Sequence, residues 1–130
     1  MLNTYLRVTM TEQVLDEETW PQEAEAAIND IRKHVKFASI SSLLRNTNQR
    51  IFINITTLEN IDYCVEMSAL GFRIVGNEYN DTSLSSSDIN NYETPYAMLD
   101  SISVKFRESF GRELINKLTD LANNTESEIA

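Results

Sequence analysis

Cysteine, proline and glycine are all scarce in this sequence of 130 residues, which contains one cysteine, two prolines and three glycines. The single cysteine, Cys64, can form neither an internal disulfide nor a cysteine-ligated zinc site. The three glycines form no glycine-rich phosphate loop. No apolar run approaches the roughly 18 residues of a membrane span, and the N-terminus lacks the apolar core of a signal peptide. We therefore expect an intracellular protein, located in the cytoplasm with the nucleus as a further compartment.

Basic residues are also few, with 11 lysines and arginines against 20 acids and a formal net charge of −9. Much of this excess lies in residues 1–30, where Arg7 is the only basic residue. Such a chain is repelled by phosphate backbones and by anionic lipid surfaces. The charge distribution therefore predicts neither a nucleic-acid partner nor a membrane partner.

Catalytic residue types are equally scarce, because His34 is the only histidine. It lies among lysines in a helical pattern, and we predict an exposed side chain with no catalytic role. Cys64 has no cation near it in sequence, which predicts a packed or partly exposed side chain and no reactive thiol. The sequence contains no Gly-x-Ser-x-Gly elbow and no carboxylate spacing typical of catalysis or metal binding. We predict that the protein is not an enzyme and uses no cofactor or metal.

The apolar residues that are present predict one domain between two less ordered ends. Residues 1–19 are acidic and show no sustained period, which predicts a flexible segment. Residues 20–122 hold the periodic patterns and form the predicted domain. Residues 123–130 are predicted to be a frayed tail. One domain of this length can bury a modest core.

The periodic patterns follow the order α-β-β-β-α-α. A helix of about 15 to 20 residues is predicted from Trp20 onward, because apolar residues recur at three- and four-residue spacing. Residues 37–44 extend that apolar pattern. Alternating apolar residues then predict strands near residues 51–56, 63–67 and 72–74.

The last third of the chain predicts two helices. Thr94 and Pro95 are typical of a helix N-cap and first position, and Ser103 can cap the final helix. Short connections between the strands favour antiparallel neighbours. The predicted fold is thus a single α+β domain, with an antiparallel sheet of three or four strands packed against helices.

The final helix carries an apolar stripe. Phe110, Leu114, Leu118 and Leu121 fall within about 80° of one another on a helical wheel. Such a stripe either packs in the core of its own domain or fills a hydrophobic groove on a partner. Both alternatives are open from the sequence.

Six collinear stretches resemble one known family. They are Glu23–Asp30, Phe52–Ile55, Tyr63–Glu66, Ile74–Gly76, Glu93–Asp100 and Phe106–Gly111. Over residues 23–121 the chain resembles the glycogen synthase kinase-3 beta interaction protein (GSKIP) family of small kinase-binding proteins. The same domain occurs within the large clustered-mitochondria proteins, and this short chain resembles the free-standing form.

The resemblance implies that the C-terminal helix binds glycogen synthase kinase-3, as the kinase-binding helix of axin does. A non-catalytic protein of this kind would restrain the kinase and influence Wnt/β-catenin signalling. Leu114 and Leu118 would be the principal anchors. The whole implied site consists of Phe110, Leu114, Ile115, Lys117, Leu118 and Leu121. Lys117 stands where the family usually has arginine, which keeps the charge but loses a bidentate fork.

The resemblance also implies an alternative function, the anchoring of protein kinase A. In vertebrate members the first helix binds the regulatory subunit dimer of that kinase through an apolar stripe. The corresponding residues here are Ala27, Ile28, Ile31 and Val35. Arg32 stands where the family has a leucine, and a charge in an apolar seam is costly to desolvate. We therefore expect Arg32 to lie on a solvated face and this helix to be scaffold.

Overall fold

A computed structural model describes residues 19–86 and 90–129. The predicted acidic segment, residues 1–19, lies outside the described residues except for Thr19. The described elements are, in chain order, one helix, four strands and two helices, and they form one α+β domain. This confirms the predicted fold class.

The first helix, α1, spans Thr19–Ile31 and continues into a 3-10 turn, Arg32–His34. Pro21 lies in the first turn of α1, where its missing N–H group costs no hydrogen bond. The buried positions Ala24, Ile28 and Ile31 repeat at helical spacing and face the sheet. The helix is thus shorter than predicted.

The four strands are β1 (Phe37–Ile40), β2 (Arg50–Thr56), β3 (Asp62–Ser68) and β4 (Gly71–Gly76). They pair in sequence order, and every pair is antiparallel. The predicted meander is therefore confirmed, with one strand more than the predicted order α-β-β-β-α-α. The observed order is α-β-β-β-β-α-α.

The additional strand, β1, lies where the helical apolar pattern was extended. Val35 adopts an extended conformation (φ −136°, ψ 164°), which ends the 3-10 turn. The chain then pairs with β2, with Phe37 opposite Thr56 and Ile40 opposite Ile53. The extended conformation of β1 depends on its pairing with β2, which begins ten residues beyond β1. The helix-like spacing of its apolar residues was therefore misleading.

The two faces of the sheet carry hydrophobic clusters of different size. The larger cluster lies on the face toward the helices, against Ile28, Met98 and Leu99. Its strand residues are Ala38, Ile51, Ile53, Ile55, Val65, Met67 and Phe72. On the opposite face Phe52, Cys64 and Val75 form a smaller cluster with Leu44. Burial raises the pKa of the Cys64 thiol, which agrees with a packing role.

Two helices follow, α2 (Pro95–Ile102) and α3 (Val104–Ile129). Both predicted caps are present. The Ala97 N–H group donates to Thr94 Oγ1 at 3.1 Å, and the Phe106 N–H group donates to Ser103 Oγ at 2.9 Å. Helix α3 continues past residue 122, where the predicted domain ends, because neither glycine nor proline interrupts residues 122–129.

Candidate binding surface on the last helix

Helix α3 divides into a packed first part and an exposed second part. Phe106 is 2% exposed and belongs to the main core, and Phe110 is partly buried against that core. From Leu114 to Asn124 every residue is exposed. The first three turns therefore attach α3 to the domain, and the rest projects from it.

The projecting part presents large apolar side chains to solvent. Leu114 is 50% exposed, Ile115 64%, Leu118 58% and Leu121 64%. Lys117 is on the same segment, with its Nζ atom 3.9 Å from Glu113 Oε1. The sequence left open whether the stripe packs in the core of its own domain or is available to a partner. Phe110 is partly packed against the core, whereas Leu114, Leu118 and Leu121 are at least half exposed. Neighbouring exposed apolar residues of this size are typical of an interaction site.

Aromatic rings fix the attached part of α3. The rings of Phe106 and Phe110 stack with their centroids 5.7 Å apart. Tyr96 of α2 packs against Phe110 at 5.1 Å, and the His34 ring meets both phenyl rings edge-on, at 5.8 and 5.5 Å. Such aromatic pairs add directional contact to the burial of area. Phe110, predicted as a flanking anchor, is thus also part of the base of the helix.

The prediction of an exposed His34 is wrong. The residue is 3% exposed, because the 3-10 turn after α1 directs its ring toward α3. Its Nδ1 atom lies 2.8 Å from Ser109 Oγ, and its Nε2 atom lies 3.2 Å from Glu113 Oε1. These partners are more than 70 residues away in sequence, so no local pattern could have indicated the contacts.

Glu113 connects α3 to the first part of the chain. Its Oε2 atom accepts a hydrogen bond from Lys33 Nζ at 3.2 Å, while Oε1 accepts from His34. The hydrogen bond from Lys33, supported by that from His34, lowers the pKa of Glu113. We call Lys33, His34, Ser109 and Glu113 the Glu113 cluster. The spacing of these four residues along the sequence indicates none of the contacts between them.

The order hydroxyl, imidazole and carboxylate in this cluster is also that of a nucleophilic triad. Here, however, Ser109 and Glu113 lie one turn apart on the same helix, and the imidazole is enclosed by Phe106 and Phe110. The hydrogen bonds of His34 connect the 3-10 turn to α3. The arrangement is therefore best explained as a contact between two elements.

The stripe predicted on the first helix lies inside the domain. Ile28 is 1% exposed, Ile31 2% and Val35 7%, and Ala27 is partly buried against the same core. Val35 lies beyond the helix, in extended backbone. Arg32 is exposed, as expected for a solvated face. A partner helix could contact this stripe only if α1 separated from the sheet.

Within residues 19–86 and 90–129, no group of three histidine, cysteine or acidic residues is arranged to hold a metal ion. None of the helices in this described part is both long and apolar enough to cross a membrane.

Comparison with known proteins identifies the family. The sequence model of the GSKIP domain matches residues 20–121. The chain is 33% identical over 105 residues to GSK3B-interacting protein of Bos taurus, covering 81% of this chain and 75% of that protein. It is 34% identical over 102 residues to GSK3-beta interaction protein of Danio rerio, covering 78% and 76%. It is 30% identical over 99 residues to the GSKIP homolog of Drosophila melanogaster, covering 74% and 83%. The chain belongs to the GSKIP domain family.

Proposed function

We propose that this protein binds glycogen synthase kinase-3 through the projecting part of α3 and restrains the kinase without catalysing a reaction itself. The observation that carries the proposal is the exposed apolar surface formed by Leu114, Ile115 and Leu118. The names of the relatives point to the same partner. A hydrophobic groove on the kinase would cover these side chains as it covers an axin-like helix, so the two ligands would compete.

The proposed site has principal and flanking contacts. Leu114 and Leu118 lie one turn apart on one face and would be the main anchors. Leu121 extends that face, and Phe110 adds its partly exposed edge at the base of the helix. Lys117 is 70% exposed in its side chain and can reach an acidic group on the partner. Ile115, at 64% exposure, would contact the rim of the groove.

Calorimetry of purified glycogen synthase kinase-3 with this protein tests the proposal. The double change Leu114→Ala, Leu118→Ala should weaken binding by about 3 kcal/mol or more, as expected for paired apolar anchors. Its fold should persist, because both side chains are at least half exposed. Circular dichroism checks this point. The substitution Leu118→Pro should abolish binding by breaking the helix.

A matched control uses two exposed leucines that lie outside α3. Leu43 and Leu70 are 78% and 74% exposed, so the double change Leu43→Ala, Leu70→Ala removes equal apolar volume elsewhere. We expect this variant to bind like the wild type. Equal binding by the α3 variant, with its helix intact, would contradict the groove proposal.

In a cell, restraint of this kinase would influence Wnt/β-catenin signalling in the cytoplasm and nucleus. We expect β-catenin to accumulate when the wild-type protein is overproduced and not when the Leu114→Ala, Leu118→Ala variant is. Imaging a fluorescent fusion in the same cells tests whether the protein is located in the cytoplasm and the nucleus. The same β-catenin level with both proteins would contradict the signalling role.

Anchoring of the protein kinase A regulatory subunit through α1 is the alternative, and the packing of Ile28 and Ile31 argues against it. Calorimetry with a regulatory-subunit dimer decides the matter. Because the stripe is covered, we expect no binding by the wild type or by the Arg32→Leu variant. Strong binding by either would show that α1 leaves the sheet.

A further inference from the structure

The Glu113 cluster lies where the packed part of α3 meets the projecting part. Glu113 immediately precedes Leu114, the first proposed anchor. The carboxylate is held by Lys33 at 3.2 Å and His34 at 3.2 Å, both from the 3-10 turn after α1. One turn earlier, Ser109 Oγ lies 2.8 Å from the other nitrogen of the same ring. The contacts therefore grip α3 at two successive turns of one face.

The chemistry of the cluster assigns the protons. A carboxylate can only accept hydrogen bonds, so His34 Nε2 must carry the hydrogen that points to Glu113. The other ring nitrogen, Nδ1, is hydrogen-bonded to the Ser109 hydroxyl, which can act as donor or acceptor. Each polar atom of the buried ring is thus paired with α3. Rotation of α3 about its own axis would break both bonds and leave the buried ring unsatisfied.

Small changes at this point have large effects further along the helix. The last proposed anchor, Leu121, lies eight residues beyond Glu113, which corresponds to about 12 Å of helix at 1.5 Å per residue. A change in the direction of α3 at Glu113 therefore moves the far anchors by several ångströms. The stacking of Phe106 on Phe110 does not oppose such a change, because both rings belong to α3.

We infer that Lys33 and His34 are positioning residues that hold the projecting helix in one orientation through Glu113 and Ser109, ready for the kinase groove. The inference rests on the proposed function for its partner, and on the geometry alone for the orientation. If the helix sampled other orientations, only the fraction of molecules in the binding-competent orientation could bind the kinase, and the apparent affinity would fall by that fraction. Holding the helix in the competent orientation avoids this loss. The positioning residues thereby contribute to affinity without lying on the apolar surface.

The orientation can be measured directly in the full chain. Cysteines introduced at Glu23 on α1 and Asp120 on α3, both exposed, can carry spin labels for pulsed dipolar distance measurement. The natural Cys64 is fully buried and stays unlabelled in the folded protein. The same proteins without labels are titrated with glycogen synthase kinase-3 by calorimetry.

Three variants separate the roles. Glu113→Ala removes the acceptor on α3, and Lys33→Met with His34→Leu removes the donors on the domain side. Arg32→Met is the matched control, because it removes a neighbouring exposed cation from the same 3-10 turn. We expect the first two to broaden the distance distribution and weaken kinase binding about tenfold, as when the competent fraction falls to about a tenth. The control should change neither quantity.

Each contrary result has its own meaning. An unchanged distance distribution in Glu113→Ala, with the fold intact, overturns the inference even if the other variant is unfolded. If Glu113→Ala weakens kinase binding and the variant lacking the Lys33 and His34 donors does not, the Glu113 carboxylate contacts the kinase. This result also overturns a positioning role. If the wild type does not bind the kinase, the proposed function fails, whereas the distance distributions still decide whether the cluster orients the helix.

Discussion

At the scale of single residues, Glu59 illustrates how an isolated carboxylate can stabilise a helix start. Its carboxylate accepts from the Ser103 hydroxyl at 2.7 Å and from the Lys105 N–H group at 2.9 Å. Burial acts to raise the pKa of Glu59, but these hydrogen bonds outweigh it and lower the pKa from 4.5 to about 2. The negative charge also lies at the positive end of the α3 dipole.

This lowered pKa predicts a pH-dependent contribution to stability. Because the folded pKa is below the unfolded value, the contribution is complete above 4.5 and is lost as the pH falls toward about 2. We expect Glu59→Gln to lower the free energy of unfolding by about 1 kcal/mol at neutral pH, after solvent screening. Urea unfolding of both proteins at several pH values measures this difference. A difference that is constant with pH would contradict the explanation.

His34 shows what residue-level analysis of a sequence can miss. Its position among lysines indicated a solvated side chain, yet it is buried against Phe106 and Phe110. Burial is possible because both ring nitrogens find partners on α3. Those partners become neighbours only after folding.

At the scale of elements, the turns and caps followed from local chemistry. Thr94 and Ser103 cap α2 and α3 as predicted, because a cap needs only a hydroxyl placed three residues before a free N–H group. Strand β1 did not follow, because its apolar residues fit either a helix or a strand until β2 is present. The elements set by neighbours in sequence were predictable, and the one set by a distant strand was not.

Two glycines give an opposed pair of predictions at this scale. Gly71 has a φ of 113°, and a Cβ atom there would collide with the Tyr92 carbonyl oxygen. We expect Gly71→Ala to lower the free energy of unfolding by about 2 kcal/mol. At Gly111, inside α3, a Cβ atom meets nothing within 4 Å, and alanine should add up to about 1 kcal/mol.

Urea unfolding, monitored by circular dichroism, measures the free energy of unfolding of both glycine variants. Each variant serves as the control for the other. Both changes add a single methyl group, so chemistry is constant and only the backbone site differs. A loss of stability at Gly111 would mean that α3 requires flexibility there. No loss at Gly71 would mean that the turn between β3 and β4 can rearrange.

At the scale of the whole molecule, the chain separates a folded core from an exposed apolar stripe on α3. Leu99 is fully buried, whereas Leu118 is 58% exposed. We expect Leu99→Ala to lower the free energy of unfolding by about 2–5 kcal/mol. Leu118→Ala should change it by no more than about 0.5 kcal/mol.

Chemical denaturation of the two leucine variants checks this separation. The comparison is matched, since both substitutions remove the same atoms from a helix. A large loss of stability for Leu118→Ala would show that the apolar stripe contributes to the folded core. Kinase binding should follow the opposite order, provided that measurements are made where Leu99→Ala remains folded.

The sequence by itself determined the family, the α+β class, the caps and the apolar stripe of the last helix. All of these depend on which residue types stand next to one another or one turn apart. Only the tertiary structure decided that Ile28 and Ile31 are core, that Leu114 and Leu118 are exposed, and that His34 joins α1 to α3. Periodicity shows that a face is apolar, but what covers that face depends on residues distant in sequence. Burial is therefore a property of the assembled domain.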